Sequence, residues 1–302
     1  MRFLLRHPAR AAISGAITLA FSGILYKAAD VSPETGAFFR CAYALPALWI
    51  FVRLEERMIG PRPWQLRKWA WLAGAFFAAD LLFWHHAIEA VGAGLATVLG
   101  NTQVVMVGLL AWALFGERPS NRALIAIPIA MAGVILISGV LEDGAYGDNP
   151  GLGVVLGLLT GVAYSGFLLA LRHGAGAQRR VAGPLFDATL ASAVLILPWG
   201  LATGDLDFTP GPEAQAWLIA LALSSQVVGW LLVTVSLPRL PAVVTSVLLT
   251  LQPVATVVLA AILIGENPSP LQLLGAATIL SGLLIATVGR RATGPEPVPE
   301  QA

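Results

Sequence analysis

The stretch SVLLTLQPVATVVLAAILIGENPSP, residues 246–270, repeats an earlier stretch of the chain, TVLGNTQVVMVGLLAWALFGERPSN, residues 97–121. The two align without a gap at a constant offset of 149 residues, and they share Gln, Gly-Glu and Pro-Ser in the same order. A second pair, AFSGIL at 20–25 and AYSGFL at 163–168, extends the likeness toward the start of the chain. Because composition alone does not produce shared polar residues in one order, these pairs predict an internal duplication.

The composition indicates a membrane protein. The 302 residues are 57% hydrophobic and only 12% charged, with a mean hydropathy of +0.78. A soluble domain is about 45–50% apolar and about 25% charged. The net charge of +1 and the lack of a basic stripe give no reason to expect nucleic acid as a partner. The single cysteine, Cys41, excludes an intramolecular disulfide and a cysteine-rich metal site.

Charged residues and Gly/Pro/Asp clusters divide the chain into ten apolar segments, and a helix needs about 20 apolar residues to cross the bilayer core. The expected spans run over residues 11–28, 34–52, 67–88, 93–115, 122–140, 151–171, 182–202, 214–236, 241–264 and 270–289. The boundary near residues 89–92 is the weakest. The first 23 residues imitate a signal peptide, but the aligned Ser22 and Gly23 favour a place inside the folded protein.

Basic residues predict the orientation, because cytoplasmic loops carry the excess of Lys and Arg. With a cytoplasmic N-terminus and ten alternating spans, 16 of the 18 basic residues fall on the cytoplasmic side, and only Lys27 and Arg40 fall elsewhere. The loops assigned to the outside, LEDGAYGD and TGDLDFTPGPE, are acidic. We therefore expect a multi-pass protein of the bacterial inner membrane with both termini in the cytoplasm.

Each half of the duplication holds five spans, and this odd number makes the second half enter the membrane from the opposite side. The expected fold is an all-α polytopic membrane protein of two inverted five-helix repeats, an arrangement found in many secondary transporters. A stable bundle with another role is the alternative. The expected divisions are a cytoplasmic N-terminus (1–10), a first repeat (11–140), an external linker (141–150), a second repeat (151–289) and a disordered cytoplasmic tail (290–302).

Two motifs, LFGERPS at 114–120 and LIGENPS at 263–269, place Gly-Glu and a small polar turn at the ends of the fourth and ninth spans. They resemble motifs of the drug/metabolite transporter superfamily, specifically its EamA-type exporters. LTLQPVAT at 249–256 is similar to the family's proline-containing ninth helix, although Gln252 stands where an acid is common. The resemblance covers nearly the whole chain and implies transport. The region around Asp80 is similar to the branch that exports amino acids, aromatic ones included.

Polar residues in the middle of spans are the candidates for substrate binding, because such groups are costly at bilayer depth and usually face the bundle interior. Asp80 lies near the middle of the third span, with Trp84 one turn away on the same face. Gln103 and Gln252 occupy equivalent places in the two repeats, which suits the wall of a central cavity. The candidate substrate-binding residues are Asp80, Trp84, His85, Asn101, Gln103, Tyr164, Gln226, Trp230 and Gln252.

Several of these positions keep an alternative interpretation. Asp80 is also compatible with a structural hydrogen bond, and His85 and His86 with an interfacial place near the outer mouth. Adjacent histidines point to different faces of a helix, so neither a metal site nor a cofactor is expected. Asp187 is expected to reach the membrane interface. No lysine or arginine is expected in the middle of a span, which disfavours phosphorylated substrates.

The predicted function is secondary transport by alternating access, with export of small amphipathic metabolites and foremost of amino acids, aromatic ones included. The expected partners are a small-molecule substrate, the lipid bilayer and protons as a candidate coupling ion. A transporter of other small metabolites or drugs is one alternative. The other is an intramembrane enzyme, such as a serine hydrolase using Ser22 or Ser165, although the candidate bases lie far along a different helix.

Overall fold

The computed structural model describes residues 8–106, 121–139, 141–175, 180–236 and 249–287, and all regular elements in these ranges are helical. The motif at 114–120 and the tail at 290–302 lie outside the described residues. The helices are α1 (Pro8–Ala20), α2 (Ser22–Ala29), α3 (Pro33–Ile59), α4 (Trp64–Val91), α5 (Ala93–Gly100), α6 (Asn121–Ile137), α7 (Pro150–Ala175), α8 (Ala182–Thr203), α9 (Pro212–Leu221), a π-helical segment (Ala222–Gly229), α10 (Trp230–Ser236), α11 (Leu251–Leu263) and α12 (Pro270–Thr287).

Five helical stretches of the described chain are long and apolar enough to cross a membrane: Ala9–Ala29, Pro33–Ile59, Pro150–Leu171, Ala182–Thr203 and Pro212–Val235. Shorter apolar helices cover Leu124–Ile137, Leu251–Leu263 and Pro270–Ile285. The 28-residue α4 is long enough but less apolar, because it carries one acid and two histidines in its middle. The chain is an all-α polytopic membrane protein.

Helix boundaries follow local signals at most of the expected breaks. The weakest predicted boundary is a real one: Gly92, with a φ of +86°, separates α4 from α5, a conformation that glycine adopts without the cost of a Cβ atom. Ser32 begins α3 by accepting a hydrogen bond from the Thr35 backbone N–H at 3.2 Å. The helices α3 and α8 continue through Pro46 and Pro198 without a break.

The most extensive helix pairings all join the first half of the chain to the second. The helix α4 packs against α7 and α8, α6 packs against α12, α3 against α8, α5 against α11, and α1 against α10. In the expected repeats, α3 corresponds to α8 and α6 to α12. The two halves are therefore interleaved, and each of these helices packs against its own counterpart.

Glycines allow the closest of these approaches. A Cβ atom at Gly133 in α6 would lie 2.6 Å from the Gly275 carbonyl oxygen in α12, and one at Gly74 in α4 would lie 2.4 Å from the Ala188 oxygen in α8. Small residues at helix interfaces let backbones meet in a membrane, where dispersion replaces the hydrophobic effect as the packing force. Any larger residue at Gly133 or Gly74 would separate the two halves locally.

Candidate functional site

A cavity of about 50 Å³ lies between the two halves. Fourteen residues from seven of the expected spans line it: Leu19, Ser22, Arg40, Phe77, Asp80, Leu81, Trp84, Thr97, Gly100, Asn101, Thr160, Tyr164, Trp230 and Gln252. Six of the nine candidate residues are in this wall. Ten of the lining residues, among them both charged ones, belong to the first half of the chain.

Asp80 is the acid of this cavity. It is 7% exposed, and no hydrogen bond or ion pair from the described residues reaches its carboxylate. Phe77 and Trp84, on the same face of α4, line the cavity on either side of it. A buried carboxylate is costly, and no partner for this one occurs among the described residues.

Arg40 was not among the candidate residues, although it lies within the second expected span, and its presence in the cavity wall corrects the expectation that no lysine or arginine contributes to the site. It is on α3, is 3% exposed and lines the cavity with Asp80. Its Cζ lies 5.6 Å from the Trp84 ring centroid and 5.9 Å from that of Phe77, which places the guanidinium against two aromatic faces. The cavity therefore holds both signs of charge, and the lack of a basic residue is no longer a reason to disfavour phosphorylated substrates.

Gln226 does not line the cavity but holds Arg40. Its Oε1 accepts a hydrogen bond from Arg40 Nε at 3.1 Å, and its Nε2 donates one to Thr189 Oγ1 at 3.0 Å. The side chain of Gln226 is completely buried within the π-helical segment. Both ends of the amide are thus occupied, and the amide fixes the guanidinium rather than contacting a ligand.

The other two candidates outside the wall are Gln103 and His85. Gln103 is 7% exposed, and its backbone oxygen accepts a hydrogen bond from Ser165 Oγ at 3.2 Å. His85 is fully buried and stacks on Tyr26, with 4.1 Å between ring centroids, so it reaches neither the cavity nor water. His86 is the half-exposed histidine, and its Nε2 lies 3.1 Å from Glu34 Oε1.

The backbone leaves the regular α-helix around the cavity. A turn at Phe21 divides α1 from α2 immediately before Ser22, and turns at Asn101 and Thr250 interrupt the fourth and ninth spans at equivalent positions of the repeat. The eighth span widens into a π-helix over Ala222–Gly229. Interrupted membrane helices are tolerated where they line a cavity, and π-helical turns are frequent at functional sites.

One end of the bundle, here called the Glu266 end, is closed by contacts between the halves. The Glu266 carboxylate, from the loop after α11, accepts hydrogen bonds from the backbone N–H groups of Ala93 at 2.5 Å and Gly94 at 3.0 Å. These are the first free N–H groups of α5, and an acid there is favoured by the helix dipole. Burial nevertheless raises the pKa of Glu266 above its usual value. A Cβ atom at Gly92 would lie 2.9 Å from this carboxylate.

The opposite end, here called the Asp187 end, carries an ionic cluster. Asp187 accepts hydrogen bonds from Arg62 and Arg67 and is 2% exposed. Burial, together with the charge of Arg67, lowers the pKa of Arg62 to about 10, so Arg62 is still charged at neutral pH. Beside this cluster, Glu55 accepts three backbone hydrogen bonds from residues 181–183 at the start of α8.

The sequence indicates Arg40 and the partners of Asp187 to different degrees. Arg40 is visible in the sequence as a basic residue within an apolar segment, but its place seven residues into α3 also suits a side chain that extends to the interface. The partners of Asp187 lie 125 and 120 residues away, beyond any local pattern. No group of three or more His, Cys, Asp or Glu residues that could hold a metal ion occurs in the described ranges.

The comparison with protein families gives one match that spans both halves. The profile of the EamA-like transporter family matches residues 9–139 and 151–288. The chain is 26% identical over 239 residues to the uncharacterized transporter YwfM of Bacillus subtilis, covering 76% of this chain and 78% of YwfM. It is also 26% identical over 240 residues to the threonine/homoserine exporter RhtA of Escherichia coli K12, covering 75% of each chain.

A solved crystal structure shares the fold. The two superpose with a TM-score of 0.65 at 16% sequence identity, over 93% of this chain and 98% of the other. The family profile covers most of the sequence, and the all-helical architecture with its central cavity agrees with it. On these grounds the chain is a member of the EamA-like transporter family.

Proposed function

We propose that this protein is a secondary transporter that exports small amphipathic metabolites, foremost amino acids with apolar or aromatic side chains. The observation that carries the proposal is the cavity between the halves, which combines Asp80 and Arg40 with the rings of Trp84, Tyr164 and Trp230. A zwitterion needs both charges, and its side chain needs the apolar surface. The relative RhtA is a threonine/homoserine exporter.

Alternating access between two inverted repeats is part of the proposal. The two stretches matched by the family profile coincide closely with the repeats proposed here, 11–140 and 151–289, and two pairs of corresponding helices, α3 with α8 and α6 with α12, pack against each other. The cavity volume of about 50 Å³ is far below the roughly 300–1,000 Å³ of pockets that hold drug-sized ligands. The described conformation is thus a constricted one, and a transport cycle would widen it toward one side at a time.

The proposed orientation places both termini in the cytoplasm of a bacterium and the Glu266 end outside. Single cysteines at Asp143 and Arg57 test it, because both positions are exposed and the native Cys41 is buried. An impermeant maleimide added to intact cells should label the Asp143 position, and it should label the Arg57 position only after the cells are opened. The reverse pattern would overturn the orientation.

The function itself is tested with purified protein in proteoliposomes. Labelled phenylalanine, threonine and leucine should exchange across the membrane faster than in protein-free vesicles, and imposing a proton gradient then asks whether protons are the coupling ion. Absence of protein-dependent flux for every amino acid tested, in vesicles where correct insertion is verified, would contradict the proposal.

The enzyme alternative is disfavoured by the two serines on which it depends. Ser22 Oγ donates to the Leu19 backbone oxygen at 2.7 Å, and Ser165 Oγ donates to the Gly161 oxygen at 2.7 Å. Both hydroxyls therefore bond to a backbone oxygen three or four residues earlier, as serines in membrane helices commonly do. A fluorophosphonate probe should leave both serines unlabelled.

A further inference from the structure

The cavity contains a guanidinium that is fixed in place but only partly used. Arg40 donates a hydrogen bond from Nε to Gln226, and no described residue accepts one from its two Nη groups. Gln226 is itself fixed by Thr189, and the aromatic rings of Trp84 and Phe77 lie against the guanidinium. The Nε side of the guanidinium is thus fixed, and its two Nη groups remain available to donate to another acceptor.

Asp80 is the second charge, and it is not the partner of Arg40. The ion pairs of the described residues do not include either side chain, although both line one cavity. A structural ion pair would be closed by direct hydrogen bonds, because burying two charges without contact loses hydration and gains little in return. Two opposite charges that share a cavity without touching leave room for a molecule carrying both complementary charges.

We propose that Arg40 binds the substrate carboxylate while Asp80 binds the substrate ammonium group, which makes the cavity selective for zwitterions over cations and anions of the same shape. This inference rests on the proposed transport function and names the substrate class of the same site. An arginine fork matches a carboxylate with two parallel hydrogen bonds, and a carboxylate is the usual partner of an ammonium group. Gln226 is a positioning residue, because it acts on the substrate only through Arg40.

The proposal predicts a reciprocal change in charge preference, which a purely structural role of either residue would not produce. In the Arg40→Gln variant the cavity keeps only the acid, so it should lose the amino acid and gain the cation. In the Asp80→Asn variant it keeps only the guanidinium, so it should lose the amino acid and gain the anion. A loss of folding would instead lower the binding of all three compounds together.

The test uses three compounds with one side chain: phenylalanine, its amide, which lacks the carboxylate, and 3-phenylpropanoate, which lacks the ammonium group. Binding is measured on purified protein by ligand-induced thermal stabilisation, and transport in proteoliposomes. Since a charged hydrogen bond contributes about one to two factors of ten to an affinity, wild-type protein should prefer phenylalanine to either analogue by roughly tenfold or more. The Arg40→Gln variant should bind the cationic amide more tightly than zwitterionic phenylalanine.

Two further variants control for folding and for charge. Arg53→Gln removes an exposed guanidinium from the same helix, where it pairs with Glu56 and lies over the Trp49 ring, and it should leave the preferences unchanged. Gln226→Met keeps Arg40 but removes its anchor, and should reduce the preference for phenylalanine over the amide by roughly threefold to tenfold. If Arg40→Gln is too unstable to purify, Gln226→Met decides between the outcomes.

The possible results separate the two proposals. If wild-type protein binds phenylalanine above both analogues and the variants shift the preference as stated, the zwitterion site is supported whether or not flux is seen. If wild-type protein transports phenylalanine but handles the amide equally well, or if the variants weaken all three compounds alike, the zwitterion site is wrong while transport stands. If phenylalanine and its analogues neither bind nor move, both proposals fail for this class of substrate.

Discussion

Two buried acids of this molecule meet arginines in opposite ways. At the Asp187 end, Asp187 accepts hydrogen bonds from Arg62 and Arg67, so its charge is matched directly. In the cavity, Asp80 and Arg40 line one space without forming an ion pair. The acids are similarly buried, at 2% and 7% exposure, so burial alone does not distinguish them.

The difference lies in where the partner of each charge comes from. Asp187 pairs with arginines of the chain, and removing it would leave those arginines without their partner. Asp80 has no such partner among the described residues, and in our proposal the substrate supplies it, so removing its charge should cost the folded state little or nothing. A paired buried charge therefore indicates a structural contact, whereas an unpaired one beside a cavity indicates binding. The two kinds of site should respond in opposite ways to the same substitution.

The largest expected effect is on stability, in Asp187→Asn. Removing one partner of a buried ion pair costs about 3–5 kcal/mol, and the partial exposure of Arg67 places this case near 3 kcal/mol. Thermal unfolding in detergent should show a midpoint several degrees lower than wild type. Asp80→Asn is the matched control and should unfold close to wild type. Equal destabilisation by the two substitutions would remove the distinction between the sites.

The next effect is on transport, in Asp80→Asn. The change keeps the shape of the side chain but removes the charge that we assign to the substrate ammonium group, so amino acid flux should fall by roughly tenfold or more. Asp187→Asn, reconstituted at equal folded protein, should keep most of its flux. Flux in Asp80→Asn that matches wild type at every pH tested would show that the acid is structural.

A smaller effect is expected from Trp84→Ala. The ring lines the cavity one turn from Asp80 and lies 5.6 Å from the Arg40 guanidinium, so it contributes apolar surface to the proposed substrate and packs against the residue that binds it. Loss of this surface should weaken phenylalanine more than threonine, with a difference of roughly threefold to tenfold in competition assays. An equal loss for both amino acids would assign Trp84 to packing alone.

The smallest effect should come from Lys27→Met. Lys27 pairs with Glu89 at 3.2 Å, but the two side chains are 35% and 46% exposed. Exposed ion pairs contribute about 0–1 kcal/mol, so the unfolding midpoint and the flux should both stay near wild type. A marked loss of transport with unchanged stability would show that this ion pair takes part in transport.

The fold was largely accessible from the sequence, because it depends on properties that each segment carries alone. Apolar length defines the spans, and Gly92 ends α4 where a break was least certain. The departures from the α-helix were not accessible in the same way. The turn at Phe21 and the π-helix at Ala222–Gly229 have no proline to mark them, since the packing of neighbouring helices decides them.

The site was accessible only in part. Asp80 and Trp84 were identified because spacing on one helix decides which residues share a face. Arg40 was missed because its long side chain makes position along a helix a poor guide to where the charge lies. Gln226 was correctly singled out as a buried amide. Its contact with Arg40 joins residues 186 apart, and no local sequence pattern indicates a contact of that kind.

The carboxylate of Glu266 has a consequence for how the chain is made. It caps α5 across a separation of 173 residues, so the ribosome must add all of them before this helix start receives its partner. At about 5–20 residues per second, the interval is roughly 10–35 s. During that time the first half sits in the membrane with an open helix end and with interfaces that only the second half covers. The start of α5 therefore lacks this partner until the loop after α11 has been synthesised.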